Sequence, residues 1–183
     1  MNLKSLDNSN TTQKKRVIIY LRHGEDTRSN YKYDEKLTKR GKEEAKILAE
    51  KLIEKYGVPD AIYCSPFYRT RQTGKQMMKV IKSKSDKNIK HVIDSRLSRF
   101  FTEKESRNPD IRSDTMKKNA PIYETWTEFL LRVKKQLNDM ENNDNYDVIW
   151  CICHTLIIKY VAKFKKIKRD DYINYLDTVI IEI

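Results

Sequence analysis

Short apolar runs alternate along this chain with stretches of helical period, and that alternation constrains the fold more than any other feature. The runs over 16–21 ("RVIIYL"), 60–64 ("DAIYC"), 91–94 ("HVID"), 146–153 ("YDVIWCIC") and 177–183 ("DTVIIEI") read as strands. Between them, 34–57, 67–81, 125–137 and 155–164 repeat apolar residues every three or four positions, as helices packed on one face do. In the first of these Ala45, Leu48, Ala49, Leu52, Ile53 and Tyr56 share a face, with Thr38 as N-cap and Gly57 as the stop. The second puts Met77, Met78 and Ile81 on its packing side. In the third, Thr125 and Glu128 spell a capping box ahead of a stripe of Trp126, Phe129, Leu130, Val133 and Leu137. Strands alternating with helices predict an α/β chain, a three-layer αβα sandwich around a mostly parallel central sheet.

The 183 residues suffice for one sizeable core, and a single domain over 16–183 is expected. Residues 1–15 lack the apolar stretch of a signal peptide and read as a disordered leader. The stretch 97–121 has no periodicity, much charge and two prolines, Pro109 and Pro121, as an irregular lid-like loop would. No apolar run approaches the roughly 18 residues that cross a bilayer, so no membrane partner is expected. The three cysteines, Cys64, Cys151 and Cys153, each fall in a strand and read as reduced, buried thiols of a cytoplasmic protein. "CICH" at 151–154 offers sulfur and imidazole, but successive strand residues point to opposite faces and no second ligand pair exists, so neither metal nor other cofactor is expected.

A formal net charge of +12 favours anionic partners. No nucleic-acid-reading motif accompanies it, and "KFKKIKR" (163–169) reads as a solvated helix end. A phosphorylated small molecule or a phosphoprotein is the expected partner, without specific nucleic-acid binding.

What the strands end in narrows this further. The first stops at Arg22 and His23, the second leads through Cys64 into "SPFYRTRQT", and the fourth stops at His154. Open α/β sheets bind ligands just beyond the carboxyl ends of their strands, so two histidines and at least one more arginine should meet in one crevice. Phosphate suits such a cluster. Guanidinium forks grip its oxygens, and the amides from Thr155 onward, opening a helix, add donors and a favourable dipole. Neutral histidine is a competent nucleophile near pH 7. His91, at the start of a strand, reads as structural, and four scattered glycines exclude a Gly-rich phosphate loop.

At these residues the chain resembles the histidine phosphatase superfamily, the phosphoglycerate-mutase-like group, in its larger branch. "LRHGE" is similar to the family's opening signature, "LTKRGKEEA" to its "LTxxGxxQA" helix start and "YCSPFYRTRQT" to its "SSPLxRAxQT" element. "YETWTEFLLRV" resembles its "ES…F…R" helix and "IWCICHT" the strand that ends in the second histidine, all in the family's order. The resemblance implies that His23 is the phosphohistidine nucleophile and that Arg22, Arg69 and His154 hold the phosphoryl group, while Arg71 falls at a variable position. Gly24 and Gly41 would allow tight turns and close backbone approach.

Two departures stand out. The family follows its first signature with a threonine and then an asparagine near the phosphate; here one inserted residue gives Thr27 and Asn30, and no insertion gives Asp26 and Ser29. Many members also carry a glutamate in an "LxE" element as proton donor to the leaving group, where "RLSRFF" has Arg99. Glu103, Glu105, Asp110 and Asp114 lie downstream, and Glu103 is the candidate for that role. The expected function is a histidine acid phosphatase-like phosphomonoesterase working through a phosphohistidine. The alternatives are phosphoglycerate mutase-type transfer and a catalytically weak phosphoprotein-binding module. The arginines at 96, 99, 107 and 112 suit an acidic or multiply phosphorylated substrate.

Overall fold

Ile18, Ile19, Tyr20 and Leu21 are all but inaccessible to solvent, because the strand they form is flanked on both edges and covered on both faces. The computed structural model describes residues 15–27, 35–102 and 123–183. In chain order the elements are β1 (Val17–Arg22), α1 (Lys39–Tyr56), β2 (Ala61–Cys64), α2 (Tyr68–Lys84) and β3 (Lys90–Ile93). A 3-10 turn (Ser95–Leu97) follows, then α3 (Trp126–Glu141), β4 (Val148–Cys153), α4 (Thr155–Phe164) and β5 (Thr178–Glu182). These are the strands and helices the residue pattern predicts.

The sheet order is β3-β2-β4-β1-β5, parallel throughout except for β5, which runs antiparallel to β1. The pleat sorts side chains between two cores. Ile19, Leu21, Ile62, Cys64, Trp150 and Ile152 face α1 and α2, together with Ala45, Leu52, Met77 and Ile81. Ile18, Tyr20, Tyr63, Cys151 and Cys153 face α3 and α4, with Phe129, Val133, Ile158 and Val161. Helices on both faces of a mostly parallel sheet make the three-layer sandwich.

Local chemistry ends the helices where expected. Thr38 caps α1 by accepting from the Gly41 amide, and Gly57 closes it at φ 84°. Thr125 and Glu128 form the complete capping box of α3. One expected core residue departs from the pattern: Trp126, the first residue of α3, is 41% exposed. It stacks on Phe129 and meets Phe100 and Tyr160 at the rim of the core.

The basic run 163–169 is the end of α4 and its chain reversal. Lys165 pairs with Glu141, Arg169 pairs with Asp177, and Lys166 takes a left-handed φ of 54°. No helix among the described residues is long and apolar enough to cross a membrane. The leader up to residue 14, Asn30, Glu103 and most of the lid-like stretch lie outside the described residues.

Register brings three strand ends level. Arg22 of β1 pairs with Cys153 of β4, and Cys64 of β2 pairs with Ile152. The next amides continue the ladders, His23 N–H to Cys153 C=O and Ser65 N–H to Ile152 C=O. His23, Ser65 and His154 therefore leave the sheet side by side.

Candidate active site

His23 is buried and its ring is oriented by its own turn. Nδ1 lies 2.9 Å from the Gly24 carbonyl, which only accepts, so Nδ1 carries the proton and Nε2 keeps its lone pair. Arg69 Nε donates to that lone pair across 3.1 Å. The same guanidinium reaches His154, its Nη2 lying 3.3 Å from Nδ1. His154 Nε2 then donates to Ser65 Oγ at 2.9 Å. The two imidazoles are 5.4 Å apart centre to centre. Phe67 forms the apolar floor, with the Arg69 guanidinium 4.6 Å above its ring and His154 edge-on at 4.7 Å. Burial, reinforced by the positive charges of Arg69, Arg99 and Arg22 and by the competing imidazole of His23, holds the His154 pKa well below the usual histidine range.

Each turn of α2 that follows ties a neighbouring loop to this pair. Thr70 Oγ1 donates to the Ser65 carbonyl at 2.7 Å, fixing the residue that orients His154. Gln72 Oε1 accepts the Leu37 amide at 2.7 Å. Thr73 Oγ1 accepts the Gly24 amide at 3.0 Å, fixing the turn that holds His23. Gly24 and Gly41 act through close approach rather than turn geometry, since neither has positive φ. A Cβ on Gly24 would lie 2.7 Å from the Gly41 carbonyl, and one on Gly41 would lie 2.3 Å from that of Glu25. Thr38 locks the same junction by donating to Glu25 Oε2 at 2.6 Å.

The opposite wall is held by α3. Arg132 Nε donates to Glu124 Oε2 at 2.8 Å, and its Nη1 donates to the carbonyls of Arg96 and Ser98. That clamp sets the course of the chain into Arg99 and Phe100. These residues complete a cavity of about 280 Å³ with Arg22, His23, Arg69 and His154. Thr155 and Leu156, opening α4, line it too, so the amide end of a ten-residue helix faces the same space.

Five expected site residues thus share one cavity: Arg22, His23, Arg69, His154 and Thr155. Arg99, in the place of the expected acid, stands on its wall, with its guanidinium 4.6 Å from the Phe101 ring centre. Asn30 and Glu103 lie outside the described residues. Residue reading gave no role to Ser65, Phe67 or Tyr175, and offered Asp26 only as the alternative to Thr27 near the phosphate. Asp26 occupies the position that the alignment without an insertion assigns, whereas Thr27 is exposed. Its Oδ2 is 3.6 Å from Arg69 Nε and 4.0 Å from His23 Nδ1, and its Oδ1 accepts from Tyr175 Oη at 3.1 Å. Tyr175 also lies under the Arg22 guanidinium at 4.2 Å, while Arg22 Nη1 donates to the Ile173 carbonyl.

Nucleophilic sulfur plays no part at this centre. All three cysteines are free and buried, and desolvation pushes the Cys64 thiol up to about 12. Among the described residues no group of three or more His, Cys, Asp or Glu could hold a metal ion.

A model of the histidine phosphatase superfamily (branch 1) matches residues 18–175. Solved structures share the fold. An ecdysone phosphate phosphatase from Bombyx mori in complex with tungstate superposes with a TM-score of 0.65 at 17% identity, covering 90% of this chain and 88% of that one. A phosphoglycerate mutase from Bacillus anthracis gives 0.67 at 17% identity, covering 93% and 88%. A phosphoserine phosphatase mutant from Entamoeba histolytica in complex with phosphoserine gives 0.59 at 20%, covering 90% and 89%. No curated protein matches the chain.

Proposed function

The chain belongs to the histidine phosphatase superfamily, branch 1, and from that footing we propose that it hydrolyses phosphate monoesters through a phosphohistidine at His23. One observation carries the reading: a single guanidinium, Arg69, touches the lone-pair nitrogen of His23 and the ring of His154 at once. That arrangement suits a phosphoryl group held between two imidazoles.

In the first step His23 Nε2 attacks phosphorus, the N–P bond forms, and the bond to the ester oxygen breaks in line. For Nε2 to attack, Arg69 transfers its donors from the ring to the phosphoryl oxygens, where Arg22 and the amides opening α4 join it. Fixed cations aimed at those equatorial oxygens lower the barrier, since charge is spread over them as the group transfers. The leaving oxygen takes a proton and departs as alcohol or phenol. In the second step water attacks phosphorus, the N–P bond breaks, and inorganic phosphate leaves with His23 restored.

Two carboxylates enter the proposal in different roles. Asp26, beside His23 and Arg69, suits contact with the phosphoryl end, sharing a proton with one of its oxygens. Glu103, three residues after Phe100 in sequence, is the proposed donor to the leaving oxygen. Arg99 in the wall favours substrates with a second anionic group, small phosphorylated acids or phosphoproteins alike. Turnover of a generic aryl phosphate is the test: it should be readily measurable and vanish in His23→Ala, and equal rates in both proteins would reject the proposal.

A further inference from the structure

Helix α2 turns one face to the sheet and leads another towards the sheet's edge. Arg71, Lys75, Met78 and Lys82 recur at intervals of four, three and four residues, so they form a single stripe about 16 Å long. The stripe is one wall of a groove of about 460 Å³, larger than the catalytic cavity and sharing no lining residue with it. His91 and Ile93 of β3 form the other wall. Their neighbour Val92 turns to the opposite face and packs on the core there. Helix and sheet meet closely behind the groove, where a Cβ on Gly74 would come within 2.7 Å of Cys64 Sγ and 3.7 Å of His91 Nε2.

Three properties coincide in this groove. Its cations are without carboxylate partners among the described residues, although other lysines of the surface, Lys46, Lys87, Lys159 and Lys165, each hold one. Like charges one helical turn apart weaken a helix, so the stripe is held against local stability. Arg71 Nε is buried and has no hydrogen-bond partner among the described residues. The apolar residues between the cations, Met78 and the 37%-exposed Ile93, give the groove a side that prefers contact to water. Finally, β3 is an edge strand, paired only with β2 among the described residues, so its outer backbone groups are available for another strand.

We infer that this groove docks an extended acidic segment of a partner protein, laid along β3. Every second residue of the segment would face the groove, in the order acidic, apolar, acidic: its carboxylates would meet Arg71, Lys75 and Lys82, and the apolar side chain two positions from each would pack on Met78 and Ile93. A compact anion needs its cations to converge on one point, whereas these are spread over about 16 Å, the length of roughly five extended residues. Strand addition supplies affinity through the backbone, and alternate side chains supply selectivity. The inference stands apart from the catalytic reading.

The test is fluorescence anisotropy of a labelled peptide whose every second residue runs Glu, Val, Glu with Thr between them, titrated with the full chain. Binding is expected, weakening with added salt, and the pair Lys75→Glu with Lys82→Glu should weaken it about tenfold or more. A proline in the middle of the peptide should weaken it comparably, because proline cannot complete a strand ladder. Arg69→Gln should bind like the wild type, and circular dichroism checks that each variant is folded. The inference is overturned by absence of binding at low salt, or by equal binding to the Lys75→Glu/Lys82→Glu variant. It is equally overturned if Arg69→Gln abolishes binding, or if inorganic phosphate or a nucleoside triphosphate displaces the peptide at matched concentration.

Discussion

The Nε of Arg69 donates to the Nε2 of His23 across 3.1 Å, and the direction of that bond assigns the tautomer of the proposed nucleophile. The proton sits on Nδ1, against the Gly24 carbonyl, and the Nε2 lone pair points at Arg69 in the cavity. The same guanidinium spans to His154. Replacing Arg69 by alanine is expected to lower kcat/KM for an aryl phosphate by about 10²–10³, the usual loss for one fixed donor at a developing charge. Lysine should recover little of it, since a point ammonium cannot bridge two rings as a planar fork does. Steady-state kinetics of both variants check this.

Asp26 places a carboxylate 3.6 Å from the Arg69 nitrogen that faces His23 Nε2. A phosphate monoester loses its second proton near pH 6, so above about that pH Asp26 faces a dianion and below it a monoanion able to donate. KM is expected to rise as the pH is raised from about 5 to 8. Asp26→Asn should flatten the rise and lower KM at the alkaline end. Parallel KM profiles in the two proteins would show that Asp26 does not face the phosphoryl group.

His154 has its pKa depressed by burial and by the surrounding cations, Arg69 foremost. Below the unfolded value of about 6.5 the unfolded chain then binds the extra proton more readily than the folded one. Stability is therefore full above that value and falls with pH below it; His91, lowered by burial, contributes with the same sign. Thermal melts from pH 7.5 to 5 should show Tm falling with acidity, and less steeply in His154→Gln. An oxyanion in the pocket opposes the shift, so saturating inorganic phosphate should raise the His154 pKa seen by NMR.

The layered sheet was legible because each element carries its own local signal. Residues from Val17 to Leu21 are β-branched or bulky and apolar, and the Thr125–Glu128 box needs nothing outside α3 to form. His23, Arg69 and His154 were legible because strand ends and one helix start force them together. Tyr175 was not, since it lies in an irregular segment brought in by long-range contacts. The Arg22 guanidinium bonds to Ile173, and Leu176 adopts a left-handed φ of 61° beneath His23. Asp26 was ambiguous by one residue, and only the bridge between Asp26 and Leu37 determines which side chain turns inward. Phe67 carries no signal of its own in the sequence, and Arg71 falls at a variable position whose stripe gains a facing wall only at the edge of the sheet.

Arg132, paired with Glu124, holds the carbonyls of Arg96 and Ser98, and both side chains of the pair are largely buried. Removing one partner from such a pair typically costs about 3–5 kcal/mol. Glu124→Gln should lower Tm and, because Arg99 and Phe100 lose their anchor, raise KM more than it lowers kcat. Melting curves and steady-state kinetics on the same preparation separate the two effects.

The central claim, that His23 carries the phosphoryl group, is tested most directly by trapping the phosphoenzyme. The protein is mixed with an aryl phosphate, quenched in alkali within the first turnover, digested and mapped by mass spectrometry. The account predicts one phosphoryl group on His23, stable to alkali, lost in acid and absent from His23→Ala. Rapid turnover with no phosphorylated histidine, or with the label on another residue, would contradict it.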